Sequence, residues 1–487
     1  MKKYIIATMM LLITVAVNAQ LAEDALRYSQ SFYQGTARSM GAGGAFSAVG
    51  ADFSTASTNP AGLGLFRTYD MTITPEVFSR KAASTYNGSY AEDSRTVFDL
   101  SNLGYVMTTP VVNGQGWKYV QFALGMNRLN NYNSVVNMQG VNNQNSKLDV
   151  YWEQADYVPY YNLESEDPFY LEPAWAVYLL DTVPGFNDFY DTPIPNGGVL
   201  QQQRIISKGS TNEWLFSFAA NYNDFLFLGA TMGLPYIHYD RSSYYAEEFT
   251  SDNVPDFERW SVTENLVTTG WGINLKLGAI VKPTDWVRVG AAFHTPSYYW
   301  NMTDTWNTVT TATYGGQTYE ATSLVTGNYS YRFYTPLKAI GSAAFFINQM
   351  GFISAEYEYA DYSTAKFASK SGLSSDVNTS IRDSYQSTNN LRFGTEWRLG
   401  MISLRGGYGF STSPYKDNLN DAKRTSYSGG IGYKKDGFAM DFAYVYSVMN
   451  ENYYLYSYEG QNGLIQTNPV DNKYTTSQFA LTFRFNF

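Results

Sequence analysis

Two groups of charged residues are spaced as one face of a β-strand would space them. Glu356 and Glu358 alternate with Tyr357 and Tyr359, while Arg392, Glu396 and Arg398 alternate with Leu391, Phe393 and Trp397. Arg405 shares a parity with Ser403, opposite Ile402, Leu404 and Tyr408. Paired carboxylates can serve as acid and base in glycoside cleavage. Glutamates so close to guanidinium groups are better suited to cross-strand ion pairs that stiffen a wall and anchor whatever packs against it. Lys276 and Arg288 form a second group, inward on consecutive strands with His294 further along. These three could receive a ligand carboxylate, or else meet acidic groups of an internal segment. His238 and His294 are the only histidines, so haem ligation or a nucleophile triad would have to use one of them. No cofactor or metal is expected.

Inward charge opposite outward apolar residues requires strands with two different faces, and the composition agrees. The 487 residues include 43 Tyr, 30 Phe and 40 Gly but no Cys, and 17% of the chain is aromatic although its mean hydropathy is −0.31. Period-2 alternation reconciles these values, as in a transmembrane barrel with lipid-facing apolar residues and aromatic girdles. Lys2 and Lys3, the apolar run Tyr4 to Val17, and Val17-Asn18-Ala19 form a signal sequence over 1–19. Its apolar run is too short to span a bilayer as a helix. The net charge of −10, or −12 without the two signal lysines, disfavours nucleic acid as a partner.

Strands are predicted near 70–80, 97–109, 117–128, 213–222, 225–238, 268–281, 286–300, 327–347, 351–362, 390–399, 401–410, 426–434, 438–448 and 474–487. This is an all-β, 14-stranded antiparallel barrel, with short inner turns alternating with longer outer loops. Thr335-Pro336 is read as a kink inside one strand, because a break there would leave an odd number. The last strand places Phe479, Leu481, Phe483, Phe485 and Phe487 on one parity and ends on the final residue. That ending resembles the assembly signal read by the outer-membrane barrel assembly machinery. The outer loop at 129–212 carries ten acidic residues and no Lys or Arg between Asp149 and Asp191. It is expected to be a solvated surface over an apolar groove, with one short helix over Pro173 to Asp181.

The part that does not alternate, Leu21 to Leu65, is read as a plug within a 20–68 hatch, leaving 69–487 as barrel. Gly43 and Gly44 lie in a run of small residues, and Asn59-Pro60-Ala61-Gly62 makes a rigid turn in which Gly62 would supply a conformation closed to other residues. Small inward residues on the third strand, Gln121, Ala123, Gly125 and Asn127, make room for a plug, and Gly125 is the candidate for a kink.

Gly41-Ala42-Gly43-Gly44-Ala45-Phe46-Ser47-Ala48 and Asn59-Pro60-Ala61-Gly62-Leu63 resemble the hatch of the FadL/TodX family, outer-membrane transporters of long-chain fatty acids and other hydrophobic compounds. Lys282-Pro283-Thr284-Asp285, Phe293-His294-Thr295-Pro296, Ser354 to Tyr359 and Ser403 to Tyr408 add to the likeness. The resemblance implies a hatch folded inside the barrel, with capture by outer loops, an internal pocket and sideways release into the membrane through a kinked third strand. It implies a hydrophobic small-molecule ligand, contact with outer-membrane lipids and no enzymatic step, and a monomer is expected. The alternatives from other classes are a binding protein such as a haemin receptor or adhesin, and an outer-membrane lipid hydrolase.

Overall fold

The computed structural model describes residues 22–32, 34–112, 114–194, 197–249, 256–368, 375–418, 420–460 and 463–487. The expected signal segment and the first two hatch residues lie outside them. Among the described residues, fourteen antiparallel strands close into a barrel. In chain order these are β1 (Asp70–Tyr86), β2 (Ser89–Pro110), β3 (Trp117–Asn131, continued by Ser134–Asn142), β4 (Val199–Tyr222) and β5 (Leu226–Phe249). Next come β6 (Phe257–Thr284), β7 (Val287–His294 and Tyr298–Tyr314), β8 (Gly327–Tyr334 and Lys338–Ile347) and β9 (Gly351–Asp361, resuming at Lys366–Ala368). The last five are β10 (Ser387–Leu399), β11 (Ile402–Ser411), β12 (Arg424–Lys435), β13 (Phe438–Tyr453) and β14 (Val470–Asn486).

β1 pairs with β14 from Asp70 opposite Asn486 onward, so the sheet has no free edge. Asp70 accepts from Arg484 at 2.5 Å and from Asn486 at 2.6 Å across this seam. Phe487 lies beyond it, stacked on Tyr69. Along β14, Phe479 and Phe485 are exposed to the outside while Gln478, Ala480 and Thr482 are buried, the parity expected of a wall between lipid and a filled lumen. The Thr335-Pro336 kink lies within β8 as expected.

The strands outrun the membrane. β4 and β5 each have 24 residues, against the ~9–11 a tilted strand needs to cross. The outer half of β4 carries Gln201 to Gln203, Ser207 and Ser210, and that of β5 Ser242, Ser243, Glu247 and Glu248, polar residues that pair in a sheet but carry no lipid-facing alternation. Two expectations are corrected for that reason. The connection after the first strand is a tight Asn87-Gly88 turn with both φ positive, not a long loop. The outer loop is 143–198, not 129–212, because the continuation of β3 pairs with β4 from Ser134 opposite Ser207 to Asn142 opposite Val199.

That loop folds as a cap. Three short helices, Leu148–Ala155, Leu163–Glu166 and Leu171–Ala176, replace the single one expected at Pro173. Leu148, Tyr151, Leu163, Leu171 and Leu180 pack against wall residues Tyr86, Tyr245, Trp260 and Val262. These side chains fill a core between cap and wall instead of lining an open groove, while Tyr157, Tyr160, Tyr161, Tyr178 and Phe186 stay exposed on the cap. Glu247, 1% exposed, latches the cap. It accepts from Ser146 Oγ (2.5 Å), Lys147 N (2.9 Å), Gln201 Nε2 (2.9 Å), Tyr245 Oη (2.6 Å) and Trp260 Nε1 (2.9 Å). Glu247→Ala strands these donors and is expected to weaken cap docking on the order of 3 kcal/mol, measured as faster proteolysis within 143–198 while the barrel stays resistant.

Candidate functional site

The hatch enters the lumen as short helices, α1 (Ala22–Ser29), α2 (Ala37–Gly41) and α3 (Thr55–Thr58), followed by a 3₁₀ turn over Pro60–Leu65. Each is too short to persist alone and is held by the wall. Thr36 caps α2 by accepting from Ser39 N and donates to Asp52 at 2.8 Å, which closes the small-residue loop. Gly43 and Gly44 have φ of 67° and 74°, and a Cβ on Gly43 would sit 2.7 Å from the Phe393 carbonyl of the wall.

Asn59 ties two parts of the hatch to each other and to the wall: its Oδ1 accepts from Ala61 N at 3.1 Å, and its Nδ2 donates to Ser47 O and to Ala279 O of β6. Pro60 opens the 3₁₀ turn, and Ala61 packs on Phe227 and Ile280. Gly62 differs from expectation. It has no positive φ, and what demands glycine is Thr55, whose side chain lies 2.8 Å from where a Cβ would stand.

The charged residues of the C-terminal strands meet as parity implied. Arg392 bridges Glu356 (2.6 Å) and Glu358 (3.2 Å). Glu396, 1% exposed, accepts from Arg405 at 2.8 Å and Arg398 at 3.0 Å. Sequence reasoning missed two members, hatch Arg38, which binds Glu396 at 2.8 Å, and Asp441 on β13, which binds Arg405 at 2.7 Å. The parity of Asp441 opposite Met440 and Phe442 could have found the second. At the inner mouth, Arg67 reaches Asp224 in the β4–β5 turn at 2.8 Å. The Asn221 amide, Lys118 and Arg67 pull the Asp224 carboxyl down to about 2, so this tie keeps its charge until the pH falls that far.

Lys276 and His294 are cross-strand partners on β6 and β7 and line one cavity, whereas Arg288 lies apart from them. Lys276 pairs with Glu213 of β4, a partner in the wall and not in the hatch. His294 Nε2 is 2.7 Å from the Thr58 carbonyl, and Arg288 donates to the Val49 carbonyl at 2.5 Å with its guanidinium over Phe346. Two of the three therefore hold hatch backbone rather than acidic hatch side chains. His238 is exposed on the outer parity of β5.

β3 is not kinked at Gly125, which stays in register with Gly104 on one side and Leu215 on the other. Gly125 instead makes room for Phe53 of the hatch, whose ring tip would lie 2.5 Å from a Cβ there. Gly125→Val is expected to destabilise the barrel by about 1–3 kcal/mol through overpacking, and because a Cβ there would also meet the Leu103 carbonyl, thermal unfolding of the Phe53→Ala double variant should not recover the loss. The irregularity falls later, between Arg128 and Asn130, where the strand's carbonyls turn to the hatch. Phe32 N donates to Leu129 O at 2.8 Å and Gln34 N to Arg128 O at 3.2 Å.

At the same height the ladder between β2 and β3 ends, at Asn102 opposite Asn127. Beyond it, side chains bridge the two strands: Arg128 to Asp99 at 2.5 Å, Asn131 to Asp99 at 3.0 Å and Arg95 to Asn133 at 3.0 Å.

The barrel-and-hatch arrangement is that of known transporters. The chain superimposes on the Pseudomonas putida toluene transporter TodX with a TM-score of 0.54, at 14% identity over 94% of this chain and 100% of that one. A Pseudomonas aeruginosa FadL homologue gives 0.55, at 15% identity over 93% and 98%. The Ralstonia pickettii toluene transporter TbuX gives 0.50, at 15% identity over 94% and 99%. The chain has the FadL/TodX-type fold. No protein-family model matches the sequence, nor does any curated protein. The FadL/TodX-type framework gives the open space in this lumen a context.

The larger of two cavities, of about 120 Å³ and partly open to solvent, lies beside Gln30 to Phe32, the neck of the hatch. Phe32, Met40, Phe410 and Met449 supply apolar surface, and Arg392 and Arg424 supply charge. Arg424 stacks 3.9 Å over Phe32 and donates to Ser447 at 3.1 Å. A smaller cavity, of about 40 Å³, lies across the neck among Glu213, Lys276, His294 and Lys338. Gln30 and Ser31 line both.

Proposed function

We propose that this chain is a passive outer-membrane importer of hydrophobic small molecules, long-chain fatty acids among them. A ligand passes the extracellular cap and rests in the larger cavity, its apolar body against Phe32, Met40, Phe410 and Met449 and any acidic end toward Arg424. It leaves sideways between β2 and β3, where side-chain bonds replace the backbone ladder. The observation that carries this reading is the combination of a lumen filled by the hatch with a wall whose ladder stops partway up one seam. Fold likeness to toluene transporters supports it.

In this reading 1–19 is a cleaved signal, 20–68 the hatch and 69–487 the barrel, monomeric and delivered to the assembly machinery by its C-terminal strand. Glu356, Glu358, Arg392, Glu396, Arg398 and Arg405 lock the hatch to the wall, as do Asn59 to Gly62 and the Gly43-Gly44 loop. No step needs a cofactor or catalytic group. Mass spectrometry of the purified barrel tests the site: it should retain a hydrophobic molecule, and Arg424→Ala should reduce retention of acidic amphiphiles more than of neutral ones. A barrel that binds no hydrophobe saturably would contradict the reading.

A further inference from the structure

The wall is interrupted a second time, on strands that face the smaller cavity. β7 breaks over Thr295-Pro296-Ser297 and β8 over Thr335-Pro336-Leu337, side by side and at one height. Neither proline can donate to a ladder. The regular β7–β8 pairing stops at His294 opposite Lys338 and resumes at Tyr298 opposite Tyr334. Two bonds cross the gap, Thr335 N to Ser297 O at 3.1 Å and Ser297 N to the Thr335 hydroxyl at 2.8 Å.

β9 leaves the sheet at the same place. It pairs with β8 as far as Lys338 opposite Ala360, turns through Tyr362–Thr364, and returns at Tyr334 opposite Lys366. Pro336 and Leu337 therefore lack ladder partners on both sides, and Thr335 keeps only its bonds to Ser297. Directly behind them lies the smaller cavity, whose lining includes Thr295, Ser297, Thr335 and Pro336. Outside, Trp271, Trp300 and Leu337 are exposed, the composition of a wall at the membrane interface.

We propose that the barrel has a second lateral opening, between β7 and β8, joining the smaller cavity to the outer leaflet for the same class of hydrophobic ligand. Opening it breaks the two bonds between Ser297 and Thr335, far fewer than separating a continuous ladder. A molecule in the larger cavity reaches it by passing Gln30 and Ser31, which border both spaces. Ser31 accepts from Lys338 at 2.9 Å, so the hatch neck is tied to the very strand that carries the break. The inference rests on the transport reading, because an exit matters only if something passes.

The chain has no native cysteine, so engineered disulfides report single seams. Ser297→Cys with Thr335→Cys locks the proposed opening; Arg95→Cys with Asn133→Cys, joined through a spacer dithiol that bridges the reach of the arginine side chain, locks the β2–β3 seam. Uptake of a tritiated long-chain alkane and of a tritiated fatty acid is measured in vesicles before and after oxidation, each reduced protein being its own control for folding. The β7–β8 lock should lower uptake about twofold or more, reversibly with reductant, as for any slowed release step. Both locks together should abolish it. If the β7–β8 lock changes nothing while the β2–β3 lock alone abolishes uptake, the second opening is wrong and the transport reading stands. If the unlocked parent chain speeds uptake of neither compound, the transport reading falls and the second opening with it.

Discussion

Removing residues 22–66 is expected to turn a non-conducting barrel into a steady, wide pore. A closed barrel of eight strands is filled by its own side chains, whereas one approaching porin size leaves a water channel. With fourteen strands the interior must be occupied by something else, and here the hatch occupies it. Phe53, Leu63 and Phe66 pack against Val106, Ala123 and Leu215 of the wall, and Phe46 packs edge-on to Phe352 at 5.6 Å. Wall glycines stand where the backbones approach most closely, Gly278 and Gly290 beside the Asn59-Pro60 turn and Gly407 beside Gly43. Single-channel recording checks the expectation. The intact chain should give at most brief openings and the deleted chain a stable conductance, and identical traces would mean that the segment does not close the lumen.

Glu396→Ala is expected to be the most damaging single substitution in the lumen, costing about 3–5 kcal/mol, because removing one partner of a buried pair leaves the other charges uncompensated. Arg38 and Arg405 are both largely buried against this carboxylate. Arg38 also donates to Ala51 O at 3.2 Å, so the loss extends into the hatch loop. Denaturant unfolding in detergent measures the stability, and a spin label on the hatch measures its freedom. Glu396→Gln keeps the shape without the charge and should fall between the two. If Glu396→Ala unfolded within about 1 kcal/mol of the parent, the cluster would be a solvated surface network of the kind that contributes little.

How much of this was legible in the sequence varied with the environment each segment meets. The fourteen strands were countable because lipid imposes a strict outward parity, seen at its clearest from Phe479 to Phe485. The charged ladder followed from the same parity, since Glu356 and Glu358 can only face inward if Tyr357 and Tyr359 face out. Beyond the membrane that constraint lapses. Asn131 to Asn142 and Gln201 to Gln203 read as loop because polar residues on both faces are acceptable in an extracellular hairpin. Contacts between distant segments were also out of reach. Nothing local in Arg38 announces a partner 358 positions later, and Gly125 looked like a hinge when it was making room for a hatch phenylalanine. The prolines at 296 and 336 were visible one at a time. Their lateral alignment exists only once register is known.

The transport account stands or falls on uptake. Purified chain in sealed vesicles, presented with a radiolabelled long-chain fatty acid or a neutral aromatic hydrocarbon, should speed entry well beyond that of protein-free vesicles, without any energy source and with saturation. Equal rates with and without protein, for every hydrophobic compound tried, would contradict it.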